Sequence, residues 1–231
     1  MRNNIPYIQQ QQKKITSLVT KQFKNYYLTG GTALAFCFNH RFSEDLDFFT
    51  QDYQRQDPAR IMNFISKETK FKFKLEVEQR DSKLIPMAIY SLSLKKGGLL
   101  KIDFVQDPEK NTGQIKNGLH SIEDIYRRKI CAATGRIHKQ DVIGKTIPTG
   151  RQSIKDLFDL YCLSKRHQLL SEFFFEYFSY DQAEALIAWY RGFSRTHLKL
   201  ELLELVQKVD TASVIKHLDD EILKKIPEKL I

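Results

Sequence analysis

The chain has 231 residues, with 37 Lys and Arg against 28 Asp and Glu, for a formal net charge of +9. Hydrophobic residues make up 42% and include sixteen Phe and ten Tyr, which is enough for a packed core and excludes global disorder. The positive excess favours an acidic partner, RNA or a nucleotide, although many proteins that bind neither are as basic.

In chain order, residues 7–25 read as an amphipathic helix. Tyr7, Ile8, Ile15, Leu18, Val19 and Phe23 fall near one face, and Gln9 to Gln12 form exposed surface. Tyr26, Tyr27 and Leu28 make a short strand that leads into a Gly30-Gly31 turn, followed by a mostly buried helix over Thr32–Asn39. His40 reads as a helix-end cap or surface group, and Arg41 as a partner for phosphate or carboxylate. A Gly-Gly-Thr turn at a helix start presents backbone N–H groups and a hydroxyl, an arrangement that holds anions such as phosphate.

Glu44 to Phe49 reads as a strand. Side chains two apart on a strand leave one face about 6.5–7 Å apart, so Asp45 and Asp47 point together while Leu46 and Phe48 enter a core. A polar loop over 51–57 precedes a helix from about Pro58 to Lys67. Phe71 to Glu78 alternates as a half-buried strand. Residues 84–94 and 99–105 form a hairpin around Lys95-Lys96-Gly97-Gly98, making the sheet partly antiparallel, and Asp107-Pro108 ends it.

The second hairpin strand carries Asp103 between Ile102 and Phe104. A carboxylate in such apolar company is costly unless paired or metal-bound. Beside Asp45 and Asp47 it completes a trio of acids. Two carboxylates about 5 Å apart at an effective dielectric near 20 repel by roughly 3 kcal/mol, so the trio needs protons or cations. Oxygen-only ligands favour Mg²⁺ or Mn²⁺.

Composition shifts near residue 119. Ser121 caps a helix with acids in its first turn, running through Lys129 to Gly135. From the residues alone, Lys129 is a solvated lysine in the run Arg127-Arg128-Lys129. Residues 136–150, with Gly144, Pro148 and Gly150, form a loop or small hairpin. Ser153 opens a helix with Asp156 and Asp159 on one face. These read either as acids favoured by the helix dipole or as part of a nucleotide site. Residues 168–231 read as helices over about 168–178, 180–191, 195–208 and 211–224. Their aromatics, Phe173 to Phe175, Tyr177, Phe178, Trp189 and Tyr190, are core for the larger share, with base stacking as the alternative. Arg191, Arg195, Lys199 and Lys208 offer a basic face.

Cys37, Cys131 and Cys162 have no zinc spacing, and their odd number argues against a disulfide framework, so they read as buried thiols in a reducing cytosol. Met1 to Pro6 lacks the apolar core of a signal peptide. No run of about 18 apolar residues could cross a bilayer, so the expectation is a cytoplasmic protein with no membrane partner.

The order Gly-Gly-Thr, helix, Asp-Leu-Asp-Phe, then Ile-Asp-Phe resembles the nucleotidyltransferase superfamily of DNA polymerase β type. Within it, LTGGTALAFCFNHRFSEDLDFF over residues 28–49 resembles the AbiEii/AbiGii family, toxins of bacterial abortive-infection toxin–antitoxin systems. That family also shows a helical Lys…Arg…(R/K)D..D segment, which Lys129, Arg151 and Lys155-Asp156-Leu157-Phe158-Asp159 match in order. The resemblance covers roughly residues 25–165, and the ordered set carries more weight than any lone Asp-x-Asp. The 136–150 stretch departs from the usual short spacing. It leaves Arg136 and Arg151 as candidates for the family arginine, with Arg151 preferred because it lies four residues before Lys155.

The resemblance implies an α/β protein of the α+β type. A mixed, partly antiparallel nucleotidyltransferase sheet with flanking helices would occupy residues 1–119 as the catalytic domain. A helical C-terminal half, residues 120–231, would complete the cleft. It implies transfer of a nucleoside monophosphate from an NTP to an acceptor hydroxyl, with release of pyrophosphate. Asp45, Asp47 and Asp103 would be the catalytic acids and the ligands of Mg²⁺ or Mn²⁺. Gly30, Gly31, Thr32, Arg41, Lys129, Arg151, Lys155 and Asp156 would bind the nucleotide. The implied acceptor is RNA, in particular the tRNA 3′ end, and the implied partner a cognate antitoxin. Nucleotidylation of a protein Ser, Thr or Tyr, or a non-catalytic nucleotide- or RNA-binding protein of the same fold, are the alternatives.

Overall fold

The structure, a computed structural model, describes residues 4–81, 83–135, 139–140, 146–147, 149–206 and 208–230. The Met1–Asn3 end, Arg136, Gly144 and Pro148, on which parts of the sequence reading fall, lie outside the described residues. The chain forms two compact units, Met1–Asp124 and Ile125–Ile231.

The first unit runs α1 (Ile5–Gln22), β1 (Tyr27–Thr29), α2 (Gly30–Phe38), β2 (Leu46–Thr50), α3 (Asp57–Thr69), β3 (Lys72–Glu78), β4 (Met87–Ser93) and β5 (Leu99–Gln106). The five strands form one sheet in the order β1-β2-β5-β4-β3. The β2–β5 pair is parallel and the other pairs are antiparallel, giving the expected mixed, partly antiparallel sheet. Gly97 and Gly98 both adopt positive φ and close the β4–β5 hairpin, with the Leu94 amide donating to the Gly98 carbonyl at 3.1 Å.

One face of the sheet is apolar because every second residue is. Leu46, Phe48, Leu100, Ile102 and Phe104 are all fully buried, and Phe48 stacks on Phe104 at 5.7 Å. Helices α1 and α3 add Ile15, Val19, Ile61, Met62 and Ile65 to this core. Each such side chain contributes about 1.5–3 kcal/mol of burial.

Several local expectations change. Strand β3 lies at the sheet edge and is mostly exposed rather than half-buried, with Leu75 and Val77 at 43% and 49% exposure. A bulge between Leu75 and Val77 also shifts its register with β4. Alternation in sequence does not distinguish an edge strand from a central one. Gln12 is buried, not surface, and its amide donates to the Ser43 carbonyl at 2.8 Å. His40 is buried too. Of the three thiols only Cys162 is buried; Cys37 is exposed, and none of the three is in a disulfide.

The second unit takes up most of α4 (Ile122–Thr134), then short strands β6 (Lys139–Gln140) and β7 (Thr146–Ile147), which pair antiparallel. Helices follow: α5 (Ile154–Arg166), α6 (Leu170–Tyr177), α7 (Tyr180–Arg191), α8 (Arg195–Leu205) and α9 (Thr211–Leu218). A π-helical stretch, Asp219–Lys225, leads into α10 (Ile226–Glu228). Tyr126, Phe173, Phe174, Trp189 and Tyr190 are buried, with Tyr126 stacked on Phe173 at 4.1 Å, so the aromatic set is mainly core. Phe175 and Phe178 are half-buried, and Tyr177 is 42% exposed. Ser153 occupies the α5 N-cap position, but its side chain makes no capping bond. Among the described residues no helix is long and apolar enough to cross a membrane.

Candidate active site

The apolar face of the sheet dictates what the opposite face carries. With Phe48 and Phe104 turned into the core as register partners, the adjacent positions Asp47 and Asp103 are register partners as well. Thr29 on β1 pairs with Asp47 from the other side. Thr29, Asp47 and Asp103 therefore form one row across neighbouring strands, which lie about 4.8 Å apart. The predicted strand from Glu44 starts two residues later, at Leu46, so Asp45 sits just ahead of it. The Thr32 hydroxyl donates to the Asp45 carbonyl, pinning that residue to the start of α2.

The Gly-Gly turn meets this row. Gly30 has φ +69°, and a Cβ there would stand 3.0 Å from Asp47 Oδ2. A Cβ on Gly31 would stand 2.5 Å from Arg41 Nη2. At Gly30 the positive φ and the acid disfavour a side chain, whereas at Gly31 a Cβ would require the Arg41 guanidinium to shift, so backbone, acid and guanidinium pack closely. Thr29 is the N-cap residue of α2 but makes no capping bond; its hydroxyl is 2.9 Å from His120 Nδ1. The first-turn amides of α2 thus keep the orientation and partial positive charge that suit an anion.

Lys101 stands two residues before Asp103 and on the same face, with Nζ 2.7 Å from Asp103 Oδ2. Burial raises the Asp103 carboxyl above the usual range, the Lys101 ammonium works against that rise, and the charge on Asp45 adds to it. Burial lowers the Lys101 ammonium, but Asp103, Asp45 and Asp47 outweigh it and raise it overall. Asp103 Oδ1 is buried and has no hydrogen-bond partner among the described residues. An all-oxygen donor set with an unsatisfied buried oxygen fits a hard divalent cation. Among the described residues, no three His, Cys, Asp or Glu side chains stand as a ready-made ligand group. Lys101 holds one of the Asp103 oxygens instead.

A buried network supports the row from behind Thr29. His120 Nε2 lies 2.9 Å from Asn111 Oδ1 and 3.4 Å from Asp124 Oδ2. Burial pushes the Asp124 carboxyl up. Hydrogen bonds from the Thr112 hydroxyl and amide, the Gly113 amide and the Ser121 hydroxyl outweigh it and hold the group at about 2.

In the second unit, Lys129 is buried, not solvated. Its ammonium is 2.6 Å from Asp156 Oδ1 and 2.7 Å from Asp159 Oδ2. Arg151 clamps Asp156 through Nε at 2.5 Å and Nη2 at 2.9 Å. Burial alone would lower Lys129 and raise Asp156; the opposite charges dominate, raising the lysine and lowering the acid. The Arg151 backbone is tied down as well, since the Trp189 indole donates to its carbonyl at 2.9 Å. Lys155 is exposed on α5.

Gly30 with Asp47, Gly31 with Arg41, and Asp47 with Asp103 therefore come together in the first unit. Lys129, Arg151 and Asp156 come together, with Asp159, in the second. Sequence reasoning misses Lys101 and His120. The lysine is legible only as the i−2 neighbour of an acid on a strand, and the histidine carries no local signal.

The family described as nucleotidyl transferase AbiEii toxin, type IV toxin–antitoxin system, matches residues 17–229. A comparison with curated proteins finds no match. Among solved structures, the fold is similar to that of JHP933 from Helicobacter pylori, with a TM-score of 0.58 and 20% identity over 95% of this chain and 92% of that one. It is also similar to MenT4, a nucleotidyltransferase toxin from Mycobacterium tuberculosis H37Rv. That match has a TM-score of 0.55 and 11% identity over 97% of this chain and 84% of the other.

Proposed function

The chain belongs to the AbiEii family of nucleotidyl transferase toxins, and on that premise we propose that it transfers a nucleoside monophosphate from an NTP to a hydroxyl at the 3′ end of tRNA. The observation that carries this reading is the Asp47–Asp103 register pair packed against the Gly30 turn. Asp45, Asp47 and Asp103 are the catalytic carboxylates and would hold Mg²⁺ or Mn²⁺. The bound cation supplies charge neutralisation and makes the attacking hydroxyl more acidic.

The acceptor oxygen forms a bond to the α-phosphorus while the bond from that phosphorus to the pyrophosphate oxygen breaks. The acceptor proton passes to Asp103, and pyrophosphate leaves. Gly31 and Thr32 hold the phosphates through backbone amides, because the Thr32 hydroxyl is already donated to Asp45. Arg41, beside Gly31, adds a positive charge to that turn. In the helical unit, Lys129, Arg151, Lys155 and Asp156 are the proposed nucleotide-binding residues, with Asp156 keeping the Lys129 and Arg151 side chains in fixed orientation. The net charge of +9 suits a polyanionic acceptor, and a type IV toxin has a cognate antitoxin partner. The reaction takes place in the cytoplasm, where NTPs and tRNA are available.

Incubation with each α-labelled NTP, Mg²⁺ and total tRNA, beside an Asp45→Ala/Asp47→Ala variant, tests the reading. Label on tRNA only with the intact acids supports it and names the nucleotide. Label on protein would replace the acceptor. Transfer unaffected by the substitutions would remove the site assignment.

A further inference from the structure

Lys101 sets a positive charge against the acid row from within the sheet, and strand register, not a loop, puts it there. Lys101 and Asp103 are two apart on β5 and share a face, with the ammonium on Asp103 Oδ2 at 2.7 Å. The two ends of this pair differ in freedom. The Asp103 side chain is 11% exposed and locked in the sheet, whereas the Lys101 side chain is 45% exposed on a flexible stem. The lysine head can therefore swing into water without disturbing the core, and the carboxylate stays in place. The other Asp103 oxygen is buried without a hydrogen-bond partner among the described residues. One ammonium thus leaves the carboxylate half-satisfied, a state that favours exchange for a cation able to engage both oxygens or more than one acid.

We propose that Lys101 is a built-in counter-cation of the acid row, which a divalent cation must displace from Asp103, so that the Lys101–Asp103 pair and metal binding exclude one another. The inference rests on the nucleotidyl-transfer reading only for the metal's being part of the site. In the metal-free protein Lys101 compensates the repulsion among Asp45, Asp47 and Asp103. Its presence weakens metal binding and makes the site respond to cation concentration.

The test is a Mn²⁺ titration of the full chain without nucleotide, with free Mn²⁺ read by electron paramagnetic resonance. Wild type is compared with Lys101→Met, Lys101→Arg and Asp103→Asn. Removing one positive charge next to a dication at this partly exposed site is expected to tighten Mn²⁺ binding about tenfold in Lys101→Met. Lys101→Arg should stay near wild type, and Asp103→Asn should lose the site. Thermal unfolding gives a second readout: Lys101→Met should melt lower than wild type without metal and gain more from Mn²⁺. Unchanged or weaker binding in Lys101→Met, with a site that Asp103→Asn still removes, overturns the role of Lys101 alone. Absence of any Asp103-dependent Mn²⁺ site in wild type and Lys101→Met overturns both this role and the metal part of the functional reading. Tighter binding in Lys101→Met with no label transfer by wild type would uphold the counter-cation and overturn the transfer reading.

Discussion

Asp47 and Asp103 are register partners on adjacent parallel strands, although 56 positions separate them in the chain. Their juxtaposition follows from the hydrophobic effect. Phe48 and Phe104 are both fully buried and stack on each other, which fixes the register of β2 against β5. A one-residue slip of either strand would turn its aspartate into the core and its phenylalanine out of it. The core thus enforces an electrostatically unfavourable pair on the opposite face, the local cost expected where a site is built for a cation.

Replacing Asp103 with Asn should therefore separate stability from activity. Burial raises the Asp103 carboxyl, so the ionised side chain costs the folded state stability once the pH rises above the ordinary carboxylate range. The variant should unfold at a higher temperature than wild type near neutral pH, and the gain should fade as the pH drops below about 4. Nucleotidyl transfer should fall by at least about 100-fold. Calorimetry across pH together with a label-transfer assay checks both halves; a variant less stable than wild type at neutral pH would show that ionised Asp103 does not strain the fold.

The Gly-Gly turn gives a second separation. Gly30→Ala meets both a positive φ and the Asp47 carboxylate, whereas Gly31→Ala meets the Arg41 guanidinium, the end of a flexible side chain. Gly30→Ala should cost about 1–2 kcal/mol from the left-handed backbone and disturb Asp47 directly. Gly31→Ala should cost less stability, because Arg41 can move, yet still impair transfer. Urea unfolding and transfer rates measured on both variants provide the comparison; equal stability losses would show that backbone strain at Gly30 contributes nothing.

Much of this site is legible in the amino-acid order itself. The alternation around Asp47 and Asp103 announces strands with one apolar face, and the glycines at 97 and 98 mark a turn that forms as expected, whereas those at 30 and 31 open α2 itself rather than a turn ahead of a helix from Thr32. Strand pairing is not legible there, because which strand lies beside which depends on long-range packing and not on local period. For the same reason Gln12 and His40 are buried against polar expectation, and β3 is exposed despite its alternation. Lys129 illustrates the general difficulty. In sequence it belongs to a basic run, and only the fold brings Asp156 and Asp159 to it.

That buried trio predicts a large structural effect. Lys129→Met leaves Asp156 and Asp159 without their shared ammonium in a site where both carboxylates are essentially inaccessible. Breaking one side of such an arrangement costs about 3–5 kcal/mol. The Arg151 clamp on Asp156 should limit the loss, so a Lys129→Met/Arg151→Met double variant should lose more than Lys129→Met alone. Chemical denaturation of the single and double variants measures the coupling. A Lys129→Met protein within about 1 kcal/mol of wild type would mean that the lysine contributes little to folding.

Asp124 yields a pH dependence of opposite sign to that of Asp103. Its carboxyl is nearly inaccessible, and hydrogen bonds from Thr112, Gly113 and Ser121 hold it at about 2, against an ordinary value of 3.8. A group depressed in the folded state stabilises above its unfolded value, and that contribution is lost as the pH falls towards the folded value. The ionised Asp124 therefore contributes about 2 kcal/mol at neutral pH, and this shrinks between about pH 4 and pH 2. Asp124→Asn should be destabilised by about that amount at pH 7, with the gap narrowing in acid as wild type loses its advantage. The substitution also places amide protons opposite the Thr112 and Gly113 donors, so any gap that survives in acid measures that mismatch rather than charge. Urea denaturation of both proteins at several pH values distinguishes the two contributions. A destabilisation constant with pH would show that the network holds Asp124 by shape, while one that narrows in acid identifies ionisation as what ties the 112–121 segment, and with it His120 and Thr29, to the end of the acid row.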